Sequence, residues 1–328
     1  MSKALVTGAA GFIGSHVARH LLEMGLEVVA LDDLSGGFLD NVPQAARWVE
    51  MSVTAYSELA TLFAAEQFDY VYHLAAYAAE GLSHFIRRYN YAPNLIGSVN
   101  LINLSVLHKV KCFVFTSSIA VYGANQLPMT EDLLPQPEDP YGISKYAVEL
   151  DLAAAHRQFG LDYIVFRPHN VYGEHQNIGD KYRNVIGIFM NQVLQGQPLT
   201  IFGDGQQTRA FSYIDDVAPV IARSVLNPKA YGQVFNVGGD RPYSVNELAL
   251  AVCETMGVAP NLRHLPARQE VQHAYAAHDK ARTFFELPEA VGLSTGLARM
   301  AAWVEQVGSR KTEDFANIEI PIGLPAGW

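Results

Sequence analysis

The chain of 328 residues holds only two cysteines, Cys112 and Cys253, and no spacing of cysteine, histidine and acidic residues suits a metal. Two thiols of this kind read as buried and reduced, the habit of an intracellular compartment. No apolar run approaches the length of a membrane span. The N-terminus enters strand-like sequence within three residues, which leaves no room for a signal peptide. Positive charge is also scarce, with 23 Lys and Arg against 33 Asp and Glu and a formal net charge of −10. That balance argues against nucleic acid or an anionic membrane surface as partner, while local arginines can still hold a small anion. Internal repeats and low-complexity linkers are missing too. These absences point to a soluble cytoplasmic protein, long enough for a large core in one long or two interlocked domains.

What is present begins at once. Ala4-Leu5-Val6-Thr7 is an apolar run that ends in Gly8, Gly11 and Gly14, three glycines spaced three apart, and an amphipathic stretch follows from Ser15 to Met24. This is the sequence of a strand, a tight turn and a helix N-terminus. Gly8 allows the turn, Gly11 lets backbone approach a pyrophosphate, and Gly14 lets the helix pack on the strand. The pyrophosphate then sits on free N–H groups at the positive end of the helix dipole. A second strand, Glu27 to Leu31, ends in Asp32, whose carboxylate accepts hydrogen bonds from ribose hydroxyls and repels a 2′-phosphate. The expected ligand is therefore NAD rather than NADP.

Further strand-like runs follow at Phe68 to Leu74, Lys111 to Thr116 and Asp162 to Phe166. Helical patterns near Tyr56 to Glu66, Asn94 to His108 and Tyr141 to Phe159 alternate with them. Such alternation predicts an α/β fold with a doubly wound parallel sheet, whose ligands bind beyond the carboxyl ends of the strands. After Tyr172-Gly173 the loops lengthen and Gly and Pro become frequent, as expected of a smaller, interleaved substrate-binding portion. A Pro- and Gly-rich tail, Asn317 to Trp328, reads as packing on the body or on a partner subunit.

Tyr141 and Lys145 lie four apart behind Asp139-Pro140, a suitable helix entry, and so share one helix face. A phenol is a useless base at its ordinary pKa of about 10. A nearby ammonium and an oxidised nicotinamide both favour the phenolate, so the pair can move a proton near neutral pH. Ser118 closes the run Phe115-Thr116-Ser117-Ser118 at a strand end facing the same cleft.

With these residues in view, the chain resembles the extended short-chain dehydrogenase/reductases, and within them the nucleotide-sugar epimerases typified by UDP-glucose 4-epimerase. The resemblance covers about residues 3 to 285. Besides the glycine turn and the Tyr141/Lys145 pair it includes Leu74-Ala75-Ala76, Asn94 with Gly97-Ser98, Phe115 to Gly123 and Arg167 to Gly173. It continues through Gly203 to Arg209, Phe211 to Val217 and Phe235-Asn236-Val237-Gly238-Gly239. It implies a Rossmann domain for NAD over residues 1–170 and a mainly substrate-binding domain over 171–328, of which about 211–240 returns to the first. Tyr141 is then the general acid and base, Lys145 tunes it and holds the nicotinamide ribose, and Ser118 orients the sugar hydroxyl. The cofactor is lined by Gly8, Gly11, Phe12, Ile13, Gly14, Asp32, Asp33, Ser52, Val53, Leu74, Ala75, Ala76, Asn94, Thr116, Tyr141, Lys145 and His169. Asn170, Asn184, Arg209, Asn236 and Arg268, with Ser118, hold the nucleotide sugar, arginine forks suiting a diphosphate. A homodimer is implied, paired through the helices at Asn94 to His108 and Tyr141 to Phe159.

The chain departs from the pattern at several places. Ser52 stands where an Asp often holds the adenine, Ala210 where an Asp commonly follows the arginine, and the stretch at Arg268 is one residue short with Glu270 for the usual Asp. The loop Ala78 to His84 does not match the common epimerase loop. Ile119-Ala120 replaces the Asp-Glu pair of the related 4,6-dehydratases and the Glu of decarboxylating relatives, so neither supplies a proton for those reactions. The expected activity is epimerisation through a transient keto sugar, with a UDP-hexose turned over at C4. Another NAD-dependent nucleotide-sugar conversion, or an NAD-binding protein without turnover, is the alternative. By the same resemblance Ala274 occupies the gate position where a small residue admits N-acetylated sugars, with Tyr275 beside it.

Overall fold

The computed structural model describes residues 2–325 except 269 and 313. Seven parallel strands form the main sheet. They are β1 (Lys3–Thr7), β2 (Glu27–Asp32), β3 (Arg47–Glu50), β4 (Tyr70–His73), β5 (Cys112–Thr116), β6 (Tyr163–Pro168) and a last strand, Gln233–Val237. Their order is Gln233–Val237, β6, β5, β4, β1, β2, β3, so the chain winds outward from β1 in both directions. Successive residues of each strand face opposite sides, and each side has its own core. Ala4, Val6 and Val114 pack with Val17 and Leu21 of the first helix, Phe12–Glu23, and with Ile221 of Ala218–Arg223. Leu5, Phe113 and Phe115 pack on the other side with Leu59, Leu101 and Leu152, from helices Tyr56–Glu66, Gly97–Leu107 and Pro140–Phe159. Strands covered on both faces explain the unbroken apolar runs in the sequence.

Helix Tyr56–Glu66 lies where the sequence pattern puts it. The helix expected from Asn94 is entered differently. Arg87–Tyr91 runs into a wide π turn, Ala92–Ile96, before Gly97–Leu107. Pro93 has no N–H to give a regular turn, and the chain widens around it.

Beyond β6 the elements are shorter. Thr208–Ala210 is flanked by Pro242–Ser244 and His273–Ala274, and Leu199–Phe202 pairs with Leu262–Leu265. Helix Val245–Thr255 starts at a reciprocal cap, Ser244 Oγ accepting from Glu247 N–H while the Glu247 carboxylate takes Ser244 N–H. The described part of the tail packs on the body: Glu319 accepts the N–H groups of Arg88 and Tyr89, and Phe315 lies against the rings of Tyr77 and Tyr89. The end of the tail, 326–328, lies outside the described residues. Among the described residues no helix is long and apolar enough to cross a membrane. Both cysteines are buried and unbonded.

Candidate active site

A cleft of about 690 Å³ runs along the carboxyl ends of β1, β2, β4, β5 and β6, reaching into the shorter elements beyond. The strand order reverses between β1 and β4, where such sheets open a crevice. At this end the glycine turn is dictated by space. Gly8 adopts φ +73°, and a Cβ there would meet Ala75 N at 2.6 Å, while a Cβ on Gly14 would strike the Gly8 carbonyl. No side chain caps helix Phe12–Glu23, so the N–H groups of its first turn are left for whatever fills the cleft. Asp32 is fixed by accepting Ala10 N–H at 3.1 Å and Leu34 N–H at 2.8 Å, and burial raises its carboxyl above the ordinary value. A tight glycine cradle, a row of free N–H groups and a fixed carboxylate at the next strand end fit the pyrophosphate and ribose of a dinucleotide.

The wall above β4 is held by a buried chain of hydrogen bonds whose directions follow from its ends. Ser98 Oγ donates to Asn94 O at 2.7 Å, so it accepts from His73 Nε2 at 2.8 Å, and His73 Nδ1 accepts from Thr7 Oγ1 at 2.7 Å. Thr7 Oγ1 accepts Ala75 N–H in turn. Burial pushes His73 down to about 3, keeping it neutral. Asn94 accepts Tyr77 N–H at 2.8 Å and donates to Tyr77 O at 3.1 Å. This corrects the expectation for Asn94, which is fully buried behind the wall and shapes the stretch Leu74-Ala75-Ala76-Tyr77 from outside the cleft. An amide is the one short side chain that can satisfy both backbone groups of Tyr77 at once.

Ser118, Tyr141 and Lys145 converge at the end of β5. Ser118 Oγ accepts Ala120 N–H at 3.1 Å and lies beside the Tyr141 phenol. Tyr141 stands in the first turn of Pro140–Phe159, whose entry is capped by Asp139 accepting Gly142 N–H at 3.0 Å. Lys145 Nζ donates to Thr116 O at 2.8 Å and lies 5.8 Å from the Tyr141 ring centre. Burial dominates both groups, pushing the Tyr141 phenol up and Lys145 down to about 7. Loss of water disfavours the charged form of each.

At the far end the cleft is lined by Asn170, Asn184, Arg209 and Arg268, and by Ala274. Arg209 is anchored on the carbonyls of Thr208, Val271 and Gln272. Arg268 lies over the Phe202 ring and pairs with Glu270, which also faces Arg209. Asn236 is the second correction. It is fully buried outside the cleft, accepting from the Tyr122 hydroxyl and donating its amide to Met129 O. Tyr122 also takes a bond from Arg167, which is paired with Glu149, so Asn236 ends a buried structural network. His169 reaches the cleft with both ring nitrogens engaged, on Ala210 O and on His278. The other residues expected at the cofactor, Gly11, Phe12, Ile13, Asp33, Ser52, Val53, Leu74, Ala75, Ala76 and Thr116, all line the cleft.

The family model of the NAD dependent epimerase/dehydratase family matches residues 4–238. The chain belongs to this family. A putative UDP-glucose 4-epimerase from Methanocaldococcus jannaschii is 34% identical over 304 residues, 92% of this chain and 98% of that one. The crystal structure of UDP-glucose 4-epimerase from Thermotoga maritima with UDP-glucose has a TM-score of 0.89 at 34% identity, covering 93% of this chain and 99% of that one. UDP-glucuronic acid 4-epimerase from Bacillus cereus, solved with UDP-glucuronic acid and NAD, reaches 0.86 at 29% identity with the same coverage.

Gly8, Gly11, Gly14 and Asp32, named from the sequence, all line this cleft. Two groups escaped the sequence reading. Glu80 and Asp139 put carboxyls beside Tyr141, both raised above the ordinary range by burial. Asp139 was legible only as a helix entry, and Glu80 lies in the one loop that fits no common pattern.

Proposed function

We propose that the chain is an NAD-dependent nucleotide-sugar epimerase that inverts C4 of a UDP-hexose. The observation that carries this reading is the meeting of Ser118, Tyr141 and Lys145 at the strand end, followed by Ile119 and Ala120, which hold no proton. When bound, NAD supplies the hydride acceptor and then the donor. The chain's own work is to handle the proton. Ser118 orients the reacting hydroxyl, and Tyr141 Oη takes its proton as the carbon is oxidised and returns it as the carbon is reduced. Lys145, protonated next to the phenol, stabilises the phenolate between the two transfers. The free N–H groups of the first helix turn and Asp32 hold the dinucleotide, while Arg209 and Arg268 hold the diphosphate of the sugar nucleotide.

In this reading residues 1–170 serve NAD and residues 171–328 mainly the sugar nucleotide, with 211–240 contributing a strand to the main sheet. The enzyme is a cytoplasmic homodimer. Leu107, Leu150 and Phe159 are exposed on helices Gly97–Leu107 and Pro140–Phe159, an apolar face that a second copy would cover. The test is direct: incubate the protein with UDP-glucose and follow UDP-galactose by chromatography and mass. Interconversion without change of mass is expected. Failure with every UDP-, GDP-, CDP- and dTDP-hexose would overturn the reading.

A further inference from the structure

Glu80 opens a short helical turn, Glu80–Ser83, in the loop that departs from the family pattern. The turn is fixed from two sides. Ser83 Oγ donates to Glu80 O at 2.6 Å, reaches the Asp139 carboxylate at 3.3 Å and accepts Tyr141 N–H at 3.3 Å, which ties the loop to the first turn of the catalytic helix. From behind, buried Ala79, Leu82 and Ile86 pack with Phe315 and Ile318 of the tail. The backbone of Glu80 is thus held in place while its exposed side chain lines the cleft. Among the described residues its carboxyl has no hydrogen-bond or ion-pair partner.

Its charged neighbours show what lies opposite. Asp139, Tyr141, Arg209, Arg268 and Glu270 line the same cleft, and His84 is on its own loop. A nucleotide sugar whose diphosphate rests on the arginines and whose reacting hydroxyl meets Tyr141 has to place its hexose past this carboxyl. The side chain loses part of its water to the cleft wall that it stands on. That desolvation, ahead of the Asp139 carboxylate, pushes the group up to about 7, so it is ionised at pH 8.

We propose that Glu80 is a specificity-determining residue: it accepts hydrogen bonds from the hydroxyls of a neutral hexose and repels the carboxylate of a nucleotide uronate. This rests on the nucleotide-sugar reading above and deepens it. An unpaired carboxyl on the cleft wall is a device for rejection as much as for binding, since a ligand carboxylate that displaces the water around it meets a like charge. A neutral sugar repays its desolvation with hydroxyl donors, and a uronate does not.

The experiment compares UDP-glucose with UDP-glucuronate at pH 8, using NAD-loaded wild type, E80Q, E80A and E80D. Both kcat/KM and calorimetric Kd are read. Wild type is expected to favour UDP-glucose by about 100-fold or more, and E80Q and E80A to narrow that ratio at least about tenfold by tightening the uronate. E80D, which keeps the charge, should keep the rejection and serves as the check that the loop still folds. A ratio unchanged within about twofold in both neutral variants overturns the proposal, as does a wild type that binds the two nucleotides equally. If wild type turns over neither sugar, the epimerase reading fails by itself, and the Kd ratio still decides for or against Glu80.

Discussion

At one end of the cleft the polar groups are backbone N–H groups and buried side chains pinned to neighbouring strands: the first helix turn, Asp32 on Ala10 and Leu34, the Thr7–His73–Ser98 chain. At the other end they are carboxylates and guanidiniums carried by loops far apart in sequence, Glu80, Asp139, Arg209, Arg268 and Glu270. The first end is built for one unvarying ligand part. Its geometry follows from the sheet. The second end carries charge on replaceable loops, so the choice of sugar can change without touching the strands. Tyr141 stands at the junction, its backbone N–H on the loop residue Ser83 and its hydroxyl beside Ser118 at the strand end.

The sharpest test of that junction is Tyr141→Phe. The ring is buried and packs as before, so folding and NAD content should be retained while kcat falls about a thousandfold or more, toward the upper range for a positioned proton-transfer group. A variant that loses NAD along with activity would mean that the two ends are not separable. Next in size is Asp32→Ala, confined to the cofactor end. Wild type should prefer NAD over NADP by at least about tenfold, and the variant should narrow that gap, because the repulsion of a 2′-phosphate goes with the carboxylate. Equal affinity of wild type for both cofactors would sink the assignment of this end.

The contrast also explains what the sequence disclosed. The glycine turn, Asp32 and the Tyr141/Lys145 pair are local: each is a spacing within one strand, turn or helix, and local spacing is what a single sequence carries. The return of Gln233–Val237 to the main sheet was read through resemblance rather than from its own five residues. Asn94 and Asn236 show the limit of that route. Resemblance placed them at ligands, yet each satisfies buried backbone groups one layer behind the cleft. Glu80 was hidden for a different reason. Its meaning comes from Asp139, Arg209 and Arg268 converging across the cleft, and nothing in Ala78 to His84 announces that convergence. The desolvation of Tyr141 and Lys145 was hidden because burial is a tertiary quantity, invisible in an i, i+4 pair.

A smaller effect should come from the strut behind His169. His169 Nδ1 donates to Ala210 O, so the neutral ring accepts through Nε2 from His278 Nε2, and His278 Nδ1 faces Asp240 at 2.6 Å. Hydrogen bonds from His278 and Arg282 draw the Asp240 carboxyl down to about 2. A carboxyl depressed in the fold contributes stability that is present above its unfolded pKa of about 3.9 and lost as pH falls through about 2. Asp240→Asn should therefore cost about 1–2 kcal/mol at pH 7, the value for a charged hydrogen bond discounted because Asp240 is half exposed. Denaturation curves of the two proteins should converge near pH 2. An equal difference at both pH values would remove Asp240 from the strut.

The smallest effect expected is at Ala274, on the far wall of the sugar end. Ala274 lies in the short strand beside Thr208–Ala210, opposite Arg209, and its small side chain lines the cleft. A ring at this position would fill space that an acetamido group needs, and a packed wall yields little to such a clash. The position is only partly buried at the edge of a three-stranded sheet, so a new ring has room to swing outward and the exclusion is incomplete. UDP-GlcNAc should therefore be accepted by wild type at least as a side activity. In Ala274→Tyr its kcat/KM should fall about fivefold to tenfold relative to that of UDP-glucose, the scale of adding bulk to a sugar pocket. If the variant loses both substrates equally, the wall at Ala274 does not read the C2 substituent. The neighbouring Tyr275 should then be changed to Ala to see whether the gate lies one residue on. A selective loss would instead show two independent readers at the sugar end, Glu80 by charge and Ala274 by volume, with the cofactor end untouched by either.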